Sequence, residues 1–285
     1  MKKNIAIISI SLILVYLLFT NNVLVGTSIL NSCHLFLSKV FISLFPMYII
    51  SKILINYNFP YYLFTITKSH YIYIFIMSLL SGTPNNAVII KDLLQKKLIS
   101  AETANRFIMC NFFINPLFLY TMLSNFLPLK IIIFIIIISY LTNIFIYWFI
   151  RIKEDNPIKK TKELGLAEIL VQEVSKASQI FLNVLGMIII FNLLTLIIPN
   201  NLKTFTGLVE ITNGLSFLIR SSIATYFKAI LSLIFINFGG ICILMQVKTV
   251  INGSDIKISN YLYGRFCATF LSVIAFIILT LLQVI

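Results

Sequence analysis

"SGTPNNAVII", residues 81–90, interrupts a long apolar run with a Gly, a Pro and two Asn. The surrounding segment otherwise reads as membrane-spanning helix, so backbone breakers and amides stand where lipid offers no hydrogen-bond partner. Non-helical backbone is tolerated at membrane depth only when it is buried in protein or lines a wet cavity. The stretch therefore predicts a spanning protein with a built break in its interior.

Composition agrees. The chain has 285 residues, 59% hydrophobic and 11% charged, too few charges to cover the surface of a soluble domain. Residues Ile131 to Ile150 give 20 uncharged positions between Lys130 and Arg151, which is spanning length. The formal charge of +13 does not point to nucleic acid. The basic residues mostly sit near span ends, as cytoplasmic anchors do, and no basic soluble domain is present to hold a duplex. The start, "MKKNIAIISISLILVYLLF", is basic and then apolar without an A-x-A-like cleavage site, so it reads as an uncleaved first span. Cys33, Cys110, Cys242 and Cys267 lack C-x-x-C spacing and read as packing thiols. His34 and His70 have no partner at metal spacing, and no H-E-x-x-H, G-x-S-x-G or P-loop occurs. No catalytic residue, metal or cofactor is expected, and the chain does not read as an enzyme.

Crossing helices are expected over 4–20, 40–56, 103–123, 129–150, 180–198 and 259–284. Two apolar stretches resist this, 61–96 broken at Gly82-Thr83-Pro84 and 204–252 broken at Gly239-Gly240. At an offset of 140, Phe41 meets Phe181 and Met47 meets Met187. At an offset of 157, Gly82 meets Gly239, Lys91 meets Lys248, and "ISAETANRF" (99–107) parallels "ISNYLYGRF" (258–266). These matches in one order argue for duplication. The fold expected is an all-α integral membrane protein of about six transmembrane helices plus two re-entrant, broken hairpins, arranged as two inverted-topology repeats. Residues 4–123 form the first repeat and 124–150 the start of the second. A cytoplasmic linker and surface-lying amphipathic helix follow at 151–178, and 179–285 completes the second repeat. Lys2 and Lys3 put the N-terminus inside. Counting 61–96 as re-entrant keeps Lys91, Lys96, Lys97, Arg151, Lys153, Lys159, Lys160 and Lys162 there too, with the C-terminus also inside. Lys248, Lys257 and Arg265 fall outside in this count.

A half-helix start carries a partial positive charge and free N–H groups, which can hold an anion or a polar group. Gly82 permits close backbone approach, Pro84 suits a first turn, and Asn85 and Asn86 offer donors and acceptors. The competing reading is a packed Pro kink; the repeated Gly break favours a site. Glu210, in "FTGLVEITNGLSFLI", is the one acid set in an uncharged apolar stretch, where an ionisable group is costly and commonly serves proton or cation coupling. Against this, Lys203 and Arg220 flank a segment that also reads as resting at the interface. Pro116, after Asn115 in "NFFINPLF", bends the third span towards the cavity. The candidate binding set is Ser81, Gly82, Thr83, Pro84, Asn85, Asn86, Asn115, Glu210, Asn213, Gly239, Gly240 and Gln246.

At "SGTPNNA…L", "GLVEITNG" and "FGGICILMQV…I…R" the chain resembles the sporulation integral membrane protein YlbJ and its relatives with nucleoside-recognition (Gate) domains. The resemblance covers about 40–270, and "EITNG" with the "FGG…MQV" run is its more specific part. It implies a bacterial inner-membrane protein of spore formers, with transport suspected. The shared residues are Ser81, Gly82, Pro84, Glu210, Thr212, Gly214, Gly239, Gly240 and Gln246. Asn85 and Asn86 stand where smaller residues are expected, and the chain is short for that family. The functional expectation is a secondary transporter or permease-like protein for a small polar solute with a coupling proton or cation. The alternative is a non-transporting scaffold for envelope or spore assembly.

Overall fold

The computed structural model describes residues 2–150 and 160–283, without the side chains of residues 2, 3, 6, 7, 43, 70, 80 and 81. Every regular element among them is helical. In chain order these are α1 (Lys2–Thr20), α2 (Asn22–Leu35), α3 (Ile42–Asn56), α4 (Phe59–Thr67), α5 (His70–Ser81), α6 (Asn85–Gln95) and α7 (Ala101–Cys110). They continue as α8 (Pro116–Leu123), α9 (Leu129–Ile150), α10 (Leu166–Leu196), α11 (Ile211–Arg220), α12 (Thr225–Phe238), α13 (Gly240–Ile251) and α14 (Ile258–Leu281).

Five stretches are long and apolar enough to cross a membrane: Asn22–Asn56, Leu129–Ile150, Leu166–Leu196, Thr225–Ile251 and Ile258–Leu281. At about 1.5 Å per residue each exceeds the roughly 30 Å of a hydrocarbon core. Exposed Phe145, Trp148, Phe149 and Phe270 give these helices an apolar outer face.

The spans differ from the sequence expectation in three ways. The span expected at 40–56 is the end of a longer one. α2 and α3 join through a wide π-helical turn, Phe36–Phe41, just ahead of Pro46, which lacks the N–H that would bond the preceding turn. The span expected at 103–123 is broken, because Asn111–Asn115 leave the helix between α7 and α8. The 165–178 segment is no separate surface helix: it is the first half of α10, docked through buried Ile169, Glu173 and Ala177. The expected first span, 4–20, lies within the 19-residue helix α1.

Side-chain contacts fix the helix directions. Ser32 meets Asn192, Phe41 packs edge-on against Phe181, and Tyr48 reaches Glu173, so α2–α3 and α10 run antiparallel. Asn56 and Asn58 bind the chain at Leu164 and Thr161, which brings the end of α3 to the start of α10. Arg106 bonds the Ile150 carbonyl and Tyr140 bonds the Ile114 carbonyl, so α7 and α8 together run antiparallel to α9. Tyr71 stacks on Tyr147 and Asn111 bonds Ser78, so α5 enters from the same end as α7; α6 returns, with Lys91 binding the carbonyls of Val250 and Asn252. α5 and α6 therefore reverse direction at Gly82, within the expected 61–96 stretch, while residues 61–67 belong to the separate helix α4.

The second break behaves otherwise. α12 and α13 form one bent crossing element, and Gly239–Gly240 are its kink rather than a hairpin tip. The reversing segment lies earlier. The 3-10 helix Asn200–Leu208 runs inwards and α11 runs back out, packed so closely that a Cβ on Gly214 would collide with the Gly207 backbone. Asn105 binds the Asp255 carbonyl, Lys257 N–H and Asn260 amide, so α7 and α14 start side by side and run in the same direction. The offset of 157 thus pairs segments that are not inverted relative to one another. Lys248 and Lys257, expected on the far face, belong to the end that also carries Lys96 and Lys97, and Arg265 is fully buried.

Candidate functional site

Each wall of the site begins as a local backbone requirement. At the first hairpin tip Gly82 has φ +65°, and a Cβ there would press on Leu44. The Thr83–Pro84 peptide is cis, and α6 starts directly after it. At the second tip Glu210 is the N-cap of α11. Its Oε2 accepts from the Asn213 backbone N–H at 2.7 Å and from the Thr212 hydroxyl. Asn115 caps α8 in the same manner, its Oδ1 accepting from Leu117 at 2.9 Å and Phe118 at 3.3 Å. Gly239, at φ +86°, lets α12 end and α13 begin at once. The freed Cys242 N–H donates to the Val209 carbonyl of the second hairpin.

These ends converge. Thr83, Asn115, Glu210, Thr212, Cys242 and Gln246 line a cavity of about 60 Å³, closed on its remaining sides by apolar residues of α3, α8 and α10. That is room for a few waters or one small ion. All six polar side chains are buried. Four half-helix starts (α6, α8, α11 and α13) point inwards around it, so their partial positive ends surround one buried carboxylate. Both of these side-chain hydrogen bonds of Glu210 use Oε2. A wider polar pocket of about 570 Å³ opens at each end of the molecule. The one beside Lys203 and Arg220 shares Thr212 with the inner cavity. The other lies between α3, α6 and α10 and holds the Lys52–Asp92 and Lys176–Glu173 ion pairs.

Of the sequence candidates, Thr83, Asn115, Glu210 and Gln246 come together in the cavity, and Gly82, Gly239 and Gly240 shape the backbone around it. Glu210 is not at the interface: only 4% of it is accessible. Pro84 is buried at the tip. Asn86 is a structural strut, donating to the Asn111 carbonyl at 2.6 Å and accepting from Ala87 N–H. Asn85 is buried without a hydrogen-bond partner among the described residues. Asn213 turns to Thr195 and to the wider pocket instead. Ser81 ends α5, and its side chain lies outside the described part. Thr212 and Cys242 were missing from the set. Their signal was position: two residues beyond an isolated Glu, and the first turn after a Gly-Gly break. Among the described residues no three His, Cys, Asp or Glu side chains gather as a metal site would need.

Compared with protein-family models, curated proteins and solved structures, the chain matches none.

Proposed function

We propose that the protein is a secondary transporter or permease-like protein that carries a small polar solute, with a coupling proton or cation, through the cavity at Glu210. The observation that carries this reading is the meeting of two hairpin tips that enter from opposite ends, at a buried polar cavity with a wider polar pocket beyond it on each side. A membrane-buried carboxylate is costly unless it is used, and broken helices meeting at mid-depth are a transporter arrangement.

The same contacts favour two inverted repeats, with boundaries other than the sequence offsets gave. α2–α3 corresponds to α10, and the α5–α6 hairpin to the hairpin ending in α11. The broken pair α7–α8 then corresponds to α12–α13, and α9 to α14. Each pair runs in opposite directions. Eleven basic residues, at positions 52, 68, 91, 96, 97, 106, 160, 162, 176, 248 and 257, support reading the end that carries them as cytoplasmic, in a bacterial inner membrane. The likeness to sporulation proteins adds a spore-forming host to this reading.

Purified protein in lipid vesicles, screened for uptake and export of nucleosides, organic acids and divalent ions, tests it. Movement of one class that Glu210→Gln abolishes supports transport. No movement of any class by folded protein favours the scaffold reading.

A further inference from the structure

Arg265 is the largest fully buried side chain, and none of the described ion pairs involves it. A guanidinium at this depth needs compensation from somewhere. One amino group donates to the Asn237 carbonyl at 3.3 Å; the other donates to the Met109 carbonyl at 3.0 Å and Asn143 Oδ1 at 2.9 Å. Both carbonyls lie in last turns, Met109 in α7 and Asn237 in α12. Each helix C-terminus carries roughly half a negative charge, so two of them match one guanidinium. The cation also lies over the Phe112 ring at 4.3 Å and the Tyr261 ring at 5.6 Å. Phe112 belongs to the Asn111–Asn115 break, and a Cβ at Gly239 would touch both that ring and Tyr261 Oη. Gly264 permits the approach, because a Cβ there would collide with the Met109 carbonyl.

We infer that Arg265 is a positioning residue that clamps the C-terminal ends of α7 and α12, and so holds together the two helix breaks that supply Asn115, Cys242 and Gln246 to the cavity. It touches no solute. A lysine ammonium would keep the charge but not the planar fork that spans two carbonyls and an amide. The inference rests on the proposed cavity being the working site, while its test needs no solute, so failure of the clamp and failure of transport are told apart.

The test uses full-length protein whose only cysteine is Cys242, which is 1% accessible and lies in the first turn beyond the Gly239 kink. Its rate of reaction with N-ethylmaleimide is compared with that of a control cysteine at Ser272 of α14, in a background lacking Cys242. In Arg265→Gln the Cys242 rate is expected to rise by roughly ten-fold or more, equivalent to an opening about 1.4 kcal/mol easier, with the control unchanged. Arg265→Lys should fall between, and Asn143→Ala, which removes one acceptor, should move the rate the same way by less. An unchanged rate in folded Arg265→Gln, or an equal rise at the control, overturns the clamp. If Arg265→Gln does not accumulate, unchanged rates in both milder variants overturn it.

Discussion

At the scale of the residue, Glu210 holds two roles that substitutions separate. As N-cap of α11 it needs only an acceptor oxygen, which Gln supplies; as a buried acid it needs a carboxylate. Glu210→Gln is therefore expected to accumulate in the membrane at wild-type level and to lose solute movement in vesicles. Glu210→Ala is expected to lose stability as well, by about 1 kcal/mol, read as a lower detergent melting point. Equal activity of Glu210→Gln and wild type would leave only the cap. Glycines offer a second pair. Gly264→Ala drives a Cβ into the Met109 backbone and is expected to cost about 1–3 kcal/mol, whereas Gly186, with open space inside α10, is expected to gain a few tenths to about 1 kcal/mol as Ala. Thermal unfolding of the two variants checks both signs. Glu210 was legible in the sequence because a lone carboxylate in an apolar run has few bland explanations. Cys242 was not, since it is an ordinary residue until the fold turns it inwards, and Thr212 entered only through the family resemblance. Arg265, which the topology count put outside with Lys248 and Lys257, is buried instead, and sequence cannot see helix ends from α7 and α12 converging on it.

At the scale of the element, the first hairpin was legible and the second was displaced by about thirty residues, Gly207–Glu210 against Gly239–Gly240. Both kinds of break look alike in one dimension, since Gly at positive φ serves a reversal and a kink equally. What decides between them is where the next free N–H finds a partner. After Gly240 it is the Val209 carbonyl, supplied by a segment thirty residues upstream, and the helix continues. The run 103–123 was read as one span for a related reason: it is apolar on both sides of Asn111–Asn115, and Pro116, expected only to bend the helix, instead starts a new one with Asn115 as its cap. The meeting of the tips gives a direct measurement. Thr83 and native Cys242 line the same small cavity, whereas Ile241 points away and is 38% accessible. Thr83→Cys is expected to cross-link to Cys242 with a short bifunctional reagent, and the pair Thr83→Cys with Ile241→Cys, in a background lacking Cys242, is not. A reversed pattern would put the α13 start in another rotation and dissolve the cavity.

At the scale of the whole molecule, the membrane class was legible from composition and from uninterrupted apolar length, but sidedness depends on every crossing being counted. Reading 204–252 as re-entrant removed one crossing and put the linker and the C-terminal end on one side. With α12–α13 crossing, the parity changes. α9 ends beside Arg106, and α14 starts beside Asn105, so the end of α9 and the start of α14 share an end. α14 finishes at the other end, since Phe276 packs on Tyr226 of α12, and Lys228, two residues on, lies over Phe126 just ahead of α9. α14 thus finishes at the opposite end of the molecule from the end of α9 and the start of α10, and the proposed topology accordingly has the end of α14 on the side away from the cytoplasm. The change also removes a misfit of charge, because Lys248 and Lys257 now join the basic end instead of opposing it. Arg151, Lys153 and Lys159 lie outside the described residues, so the measurement uses Lys162 in their place. Single cysteines at Lys162, Lys257, Asn200 and Leu282, in a cysteine-free background on whole cells, are exposed to a membrane-impermeant thiol reagent. Positions 200 and 282 are expected to label, and 162 and 257 only after the cells are opened. Labelling of 162 and 257 alone would invert the molecule and leave the fold intact. Protection of 282 together with 162 would instead break α12–α13 as a crossing, and with it the opposed approach of the two hairpins on which transport through the Glu210 cavity depends.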